Sequence, residues 1–208
     1  MKLTDIDEQL ISEQMQLHHV PGMSIALLHR DGTVQSYCFG LADASALVKV
    51  TPDTLFEAAS LTKCPFAVIV GHIIDEGLIN PDRPLVHYYR EEGYCANPAF
   101  EQVTARQVLS HSAGLPNWSA RPVTLSFMPG QGYSYSGEGY YYLQRTIEHL
   151  TGKTLQQLYE QFIFEPAGMH HSAVQWRDEL RSGFASRHDE SGVLMPFREH
   201  PDNKGVAP

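Results

Sequence analysis

Ser60 and Lys63 stand three residues apart in the run Ser60-Leu61-Thr62-Lys63. On a helix that spacing puts the hydroxyl and the amine on one face, within reach of each other. A serine hydroxyl is a weak nucleophile until a neighbour takes its proton, and a lysine does this where burial disfavours its charged form. A helix amino terminus at Ser60 adds backbone N–H groups, that of Ser60 among them, which can stabilise an oxyanion. S-x-x-K fixes only two positions, and an exposed Ser and Lys on a solvated helix is the plain alternative. The surroundings favour chemistry, because the pair follows Phe56-Glu57-Ala58-Ala59 and opens an otherwise apolar helix.

A second candidate lies in the loop from Pro129 to Tyr140, which contains Tyr133-Ser134-Tyr135-Ser136-Gly137-Glu138-Gly139. A tyrosine on a rigid loop can pass a proton between nucleophile and leaving group, provided a nearby cation lowers its reference pKa of about 10. Lys63 can be that cation. Tyr133, Tyr140, Tyr141 and Tyr142 read as packing residues. Trp118 is a candidate wall for an acyl pocket, with packing as its alternative role. Glu138 reads as a surface acid, and Cys64 as a small buried side chain. The pairs His18-His19 and His170-His171 lack H-x-x-x-H or H-E-x-x-H spacing, so no metal is expected.

The elements that must position these groups can be read along the chain. Thr4 can cap a first helix that carries Asp5, Asp7 and Glu8 in its first turn and ends at Pro21-Gly22. Met23 to His29 and Thr33 to Phe39 read as a β-hairpin across Arg30-Asp31-Gly32. Leu41 to Thr54 reads as a loop. A helix is expected from near Ser60 to Gly77, with apolar positions at Phe66, Ile69, Val70, Ile73 and Ile74 and with Pro65 in or just past its first turn. Thr104 caps a short helix from Ala105 to Ser110. Residues 117–139 read as irregular, and Tyr140 to Leu150 as a helix that stops at Gly152. Thr154 to Gln157 is a capping box for a last helix reaching about Phe164, closed by Pro166 to Gly168. Beyond Arg181 the pattern is polar and weak.

Composition limits the classes of function. The chain of 208 residues is 42% hydrophobic and 19% charged, a globular balance. Its formal net charge of −9, with no basic run, argues against nucleic-acid binding. The most apolar stretch, Phe66 to Ile74, is too short to span a bilayer. The amino terminus lacks a basic segment followed by an apolar one, so the expectation is a cytoplasmic protein without a membrane partner. Cys38, Cys64 and Cys95 are an odd count without CxxC spacing, which speaks against a disulfide framework.

Several blocks, in order, carry a family resemblance. Val20-Pro21-Gly22-Met23-Ser24-Ile25-Ala26 looks like the first strand of the β-lactamase-related serine hydrolases and penicillin-binding proteins. Thr54 to Lys63 is similar to their nucleophile segment, and Leu109-Ser110-His111-Ser112-Ala113-Gly114-Leu115-Pro116 resembles their LLTHTSGLP signature. Pro129 to Tyr140 matches their loop of the form PG…YSN.GY, which puts the family tyrosine at Tyr135 rather than Tyr133. Phe164 to Met169 looks like their FEPLGM helix end. His111, inside the signature loop, is expected to order that loop by hydrogen bonding.

The resemblance implies an α/β (α+β, three-layer) fold, with a helix-flanked antiparallel sheet beside an all-helical lobe. It divides the chain into 1–80 (the start of the sheet-bearing catalytic part with the Ser60 helix), 81–168 (the helical lobe with the Tyr135 loop) and 169–208 (a return segment). It implies a serine hydrolase working through an acyl-enzyme, with Ser60, Lys63 and Tyr135 catalytic, Gly137 and Trp118 at the substrate, no cofactor, and a small-molecule substrate. Gly137 stands where the family often has Asn, which shifts the expectation from a β-lactamase or D-amino-acid peptidase toward a simple ester or small amide. No K-T-G or H-x-G follows Gly168, so later sheet strands are expected to be missing and the chain to be a fragment. That absence keeps a non-catalytic acyl-binding or interaction module as the rival. Oligomeric state is left open.

Overall fold

The amino-terminal sequence builds its first elements through local hydrogen bonds. The computed structural model describes residues 7–196. Helix α1 runs over Glu8–Leu17, and Asp7 caps it by accepting from the Leu10 N–H at 3.0 Å. The expected cap at Thr4 lies outside the described residues. Strand β1 (Gly22–Leu28) pairs antiparallel with β2 (Val34–Asp43), with Ile25 opposite Tyr37. The connecting turn holds Gly32 at φ +86°, a conformation glycine adopts without steric cost.

The stretch 41–54, expected to be a loop, is partly sheet. β2 continues to Asp43, and β3 (Val48–Lys49) returns along it across a bulge between Leu41 and Asp43. The reason is a side-chain-built turn. The Asp43 carboxylate accepts from the Ser45 N–H at 2.8 Å, the Ser45 hydroxyl at 2.6 Å and the Ala46 N–H at 3.0 Å. The sheet has three strands among the described residues, in the order β1-β2-β3.

Chain compactness separates two units, residues 7–57 with 177–196 and residues 58–176. In the first, the polar segment beyond Arg177 is tied down by backbone bonds. Leu55 N–H donates to Gly183, Ala185 N–H to Leu55 and Ser186 N–H to Ala42, each at 2.8 Å. An ion pair between Arg187 and Glu57 at 3.5 Å adds to these.

The second unit is helical. α2 (Lys63–Asp75) presents Phe66, Ile69, Val70 and Ile73, all at most 1% exposed, along one stripe at helical spacing. That stripe packs into the core of this helical unit. α3 (Ala105–Leu109) has Thr104 and Gln107 as a reciprocal capping box, and α5 (Leu155–Tyr159) has Thr154 and Gln157 as another. Between them, α4 (Gly137–Thr151) contributes Tyr142, Leu143 and Ile147 to the core and ends on Gly152 at φ +67°. A π-helical turn over Glu160–Phe164 leads into α6 (Glu165–Ala167), closed by Gly168. Each fully buried apolar side chain of this kind contributes about 1.5–3 kcal/mol.

Candidate active site

Ser60 sits in a 3-10 turn (Ala59–Thr62) that feeds directly into α2. Pro65 falls in the first turn of α2, where an N–H has no α-helical acceptor, so the ring costs little. Lys63 lies on the same stripe as Phe66 and Val70, three and seven residues before them. Its stem is therefore buried with theirs, leaving only 5% of the residue exposed. Its ammonium lies 3.1 Å from the Ser60 Oγ, to which it donates. The turn is anchored from below, because the Tyr159 hydroxyl donates to the Thr62 carbonyl at 2.6 Å. Ala59, just before Ser60, has φ +45°. For a residue with a Cβ that region costs about 1–2 kcal/mol.

Tyr135 lies beside this pair. Lys63 Nζ is 5.2 Å from the centre of the Tyr135 ring and 5.6 Å from that of Tyr140. Burial alone would push the Tyr135 phenol up. Hydrogen bonds with Ser60 and Lys63, with the ammonium's charge, outweigh this and hold it below its usual value. Tyr135 remains accessible, at 39% exposed.

His111 holds the tyrosine loop. Its backbone carbonyl accepts from Ser134 N–H at 2.9 Å, and its Nδ1 accepts from Ser136 N–H at 3.0 Å. An accepting Nδ1 requires the neutral ring protonated on Nε2. Burial first, and then the charge of Lys63, push the imidazole pKa down. The ring packs on Tyr135 and Tyr140, with centroids 4.6 and 5.1 Å away. His111 itself has φ +56°. The expectation is that His111 orders its own signature loop; these contacts tie it instead to the tyrosine loop, at Ser134 and Ser136.

Gly137 and Trp118 are neighbours. A Cβ on Gly137 would come within 2.6 Å of both the Asn117 carbonyl oxygen and the Trp118 Cζ2. The indole is 49% exposed, so it presents surface beside the tyrosine loop as well as packing on the glycine. Gly137 N–H donates to Asn117 Oδ1 at 3.1 Å. Ser136 caps α4 by accepting from Gly139 N–H at 2.8 Å, and its hydroxyl donates to the Pro116 carbonyl at 2.9 Å.

Three expectations are corrected here. Glu138 is not a surface acid: it is 2% exposed, with an ion pair to Arg121 at 2.8 Å. Cys64 is exposed rather than buried, because it falls on the face of α2 opposite the apolar stripe. Tyr133 is 72% exposed and meets His111 only edge-on, with ring centroids 6.0 Å apart. Glu138 and its partners are the residues sequence reasoning missed. The one local signal was an acidic residue in the first turn of a helix, which ordinarily marks only a favourable dipole contact. Among the described residues, no group of three His, Cys, Asp or Glu side chains is arranged to hold a metal ion. No helix among them is long and apolar enough to cross a membrane.

Chemically, the arrangement couples an exposed hydroxyl, a buried ammonium and a phenol held toward ionisation. That set can move a proton off an attacking oxygen and back onto a leaving one. Comparison with known proteins agrees in kind. The family described as Beta-lactamase matches residues 8–205. The chain is 25% identical over 237 residues to the Unguisins hydrolase ungD of Aspergillus violaceofuscus, covering 96% of this chain and 41% of the relative. It is 27% identical over 188 residues to Penicillin-binding protein 4 of Amycolatopsis lactamdurans, covering 82% of this chain and 49% of that one. Among solved structures, a class C beta lactamase aligns with a TM-score of 0.82 at 22% identity, over 96% of this chain and 59% of that chain. At that identity the likeness is one of fold. The chain spans less than half the length of either curated relative.

Proposed function

The chain belongs to the beta-lactamase family, and from that premise we propose that it carries the acylation machinery of a serine hydrolase acting on a carboxylic ester or small amide. The observation that carries this reading is the 3.1 Å contact between the Lys63 ammonium and the Ser60 hydroxyl, beside a phenol whose pKa the pair lowers. Ser60 Oγ attacks the acyl carbon while its proton passes to the Tyr135 phenolate, which the Lys63 charge stabilises. Tyr135 then hands that proton to the departing alkoxide or amine, leaving an acyl-Ser60 ester. Water attacks the ester, gives a proton to Tyr135, and Tyr135 returns it to Ser60 as the acid leaves. The Ser60 backbone N–H is assigned to the oxyanion. Trp118, which covers the Gly137 backbone, is assigned to the acyl side.

A second reading, hydrolysis of β-lactams or D-amino-acid peptides, draws on the relative named Penicillin-binding protein 4. Against it, position 137 offers no side-chain amide to a substrate amide. The rival of a non-catalytic acyl-binding module predicts a trapped acyl group without release. Intact mass after treatment with a fluorophosphonate, for wild type and Ser60→Ala, tests the core of the proposal. One adduct in wild type and none in the variant supports it, and an adduct that persists in Ser60→Ala overturns it. Turnover of a short p-nitrophenyl ester against a chromogenic cephalosporin separates the two substrate classes.

A further inference from the structure

Two segments far apart in sequence run alongside each other next to Tyr135. Residues 116–121 lie against residues 136–139, joined by the Ser136 hydroxyl to the Pro116 carbonyl and by Gly137 N–H to Asn117 Oδ1. Glu138 N–H adds a bond to the Asn117 carbonyl at 3.0 Å. The Glu138 side chain then reaches back across the junction. Its Oε1 accepts from Ser119 N–H at 3.1 Å, and its Oε2 accepts from Arg121 Nη1 at 2.8 Å and from the Tyr94 hydroxyl at 3.1 Å. Tyr94, itself 1% exposed, also donates to the Glu138 carbonyl at 2.7 Å. The Arg121 guanidinium lies 4.4 Å from the centre of the Tyr94 ring. A carboxylate buried to this degree is retained only with full hydrogen bonding and a charge partner, and here it has both.

The Trp118 indole is the side chain flanked by these bonds. It sits between Asn117, bonded to the α4 amino terminus, and Ser119, bonded to Glu138. It occupies the space that a side chain on residue 137 would need. From these contacts we infer that Glu138 is a positioning residue. It fixes Trp118 over the bare backbone of residue 137, so that the surface beside the tyrosine loop is an aromatic face in place of a polar side chain. In the proposed hydrolase, on which this part of the inference rests, such a wall selects flat apolar acyl groups over small ones. Glu138 touches no substrate and acts through the indole.

The test has one arm independent of catalysis. The chain has two tryptophans, so a Trp176→Phe background isolates the fluorescence of Trp118. With Trp118 at 49% exposure, its release in Glu138→Ala is expected to raise acrylamide quenching about twofold. Glu138→Gln keeps an acceptor for Ser119 N–H and is expected to fall between wild type and Glu138→Ala; it also carries the test should the alanine variant not fold. The second arm compares p-nitrophenyl phenylacetate with p-nitrophenyl acetate. Glu138→Gln is expected to lower the phenylacetate-to-acetate ratio of kcat/KM by about tenfold, mostly through KM, and to add nothing further on top of Trp118→Ala. Unchanged quenching in both variants, or equal losses on both esters that follow the melting temperature, overturns the assignment. If wild type turns over neither ester, the hydrolase reading and the acyl selectivity fall together, while the quenching arm still decides whether Glu138 holds the indole.

Discussion

Residues 58–176 enclose a continuous core that runs from Phe66 on α2 through Tyr142 and Leu143 on α4 to Leu158 on α5. Among the described residues of the other unit, 7–57 and 177–196, only Met15, Ala42 and Val50 are buried. The β-hairpin there leaves Leu28 and Val34 at 71% and 59% exposure. Its order comes from backbone pairing and short polar turns rather than from packed side chains. The contrast matters for chemistry. Ser60, Lys63, His111 and Tyr135 all belong to the unit with its own core, so their mutual geometry is set by dense packing. Tight side-chain geometry calls for such a setting, whereas a hairpin needs only its ladder.

The largest expected effect falls in the packed unit. Phe66→Ala deletes a fully buried ring and should cost about 3–5 kcal/mol in urea unfolding; a loss under about 1 kcal/mol would break the comparison. Tyr135→Phe should leave unfolding unchanged while lowering ester turnover by about 10²–10⁴-fold, the usual worth of a proton-transfer group. In wild type the rate should rise with pH through a limb below pH 10, because the ionised phenol is the active form and its pKa is lowered, and the variant should lose that limb. Thr154→Ala removes one half of a capping box and should cost about 1 kcal/mol by thermal melting.

A smaller effect tests the His111 contact. Its folded pKa lies below the ordinary 6.5, so at acid pH the unfolded chain takes up a proton that the folded chain resists. The stabilisation is complete above that value and is lost as pH falls through the lowered one. The gap in melting temperature between wild type and His111→Gln should therefore narrow between about pH 7.5 and about pH 5. The smallest effect belongs to the hairpin. Leu28→Ala should change stability by less than about 0.5 kcal/mol, and a larger loss would reveal packing on that strand.

The parts of the fold legible in the sequence are those set by neighbours along the chain. The cap at Thr104, the capping box at Thr154, the apolar stripe of α2 and the hairpin turn all depend on residues a few positions apart. The Ser60-to-Lys63 contact belongs to the same class, since a helical turn makes it. β3 escaped because two residues across a bulge leave no alternating pattern to recognise. The burial of Glu138 escaped for a different reason. Its partners Tyr94 and Arg121 lie 44 and 17 residues away, and a lone acid in a first helical turn carries no sign of them. Cys64 was misjudged by residue type, because its face of the helix, not its chemistry, decides its exposure.

The close approach of the indole to residue 137 also constrains how this chain can change over generations. A substitution that gives position 137 a side chain collides with Asn117 and Trp118, so it is blocked while those residues stay where they are. Random libraries varied at 137 alone should return glycine. Libraries varied jointly at 118 and 137 should still return glycine at 137, because a smaller residue at 118 leaves the clash with the Asn117 backbone carbonyl in place.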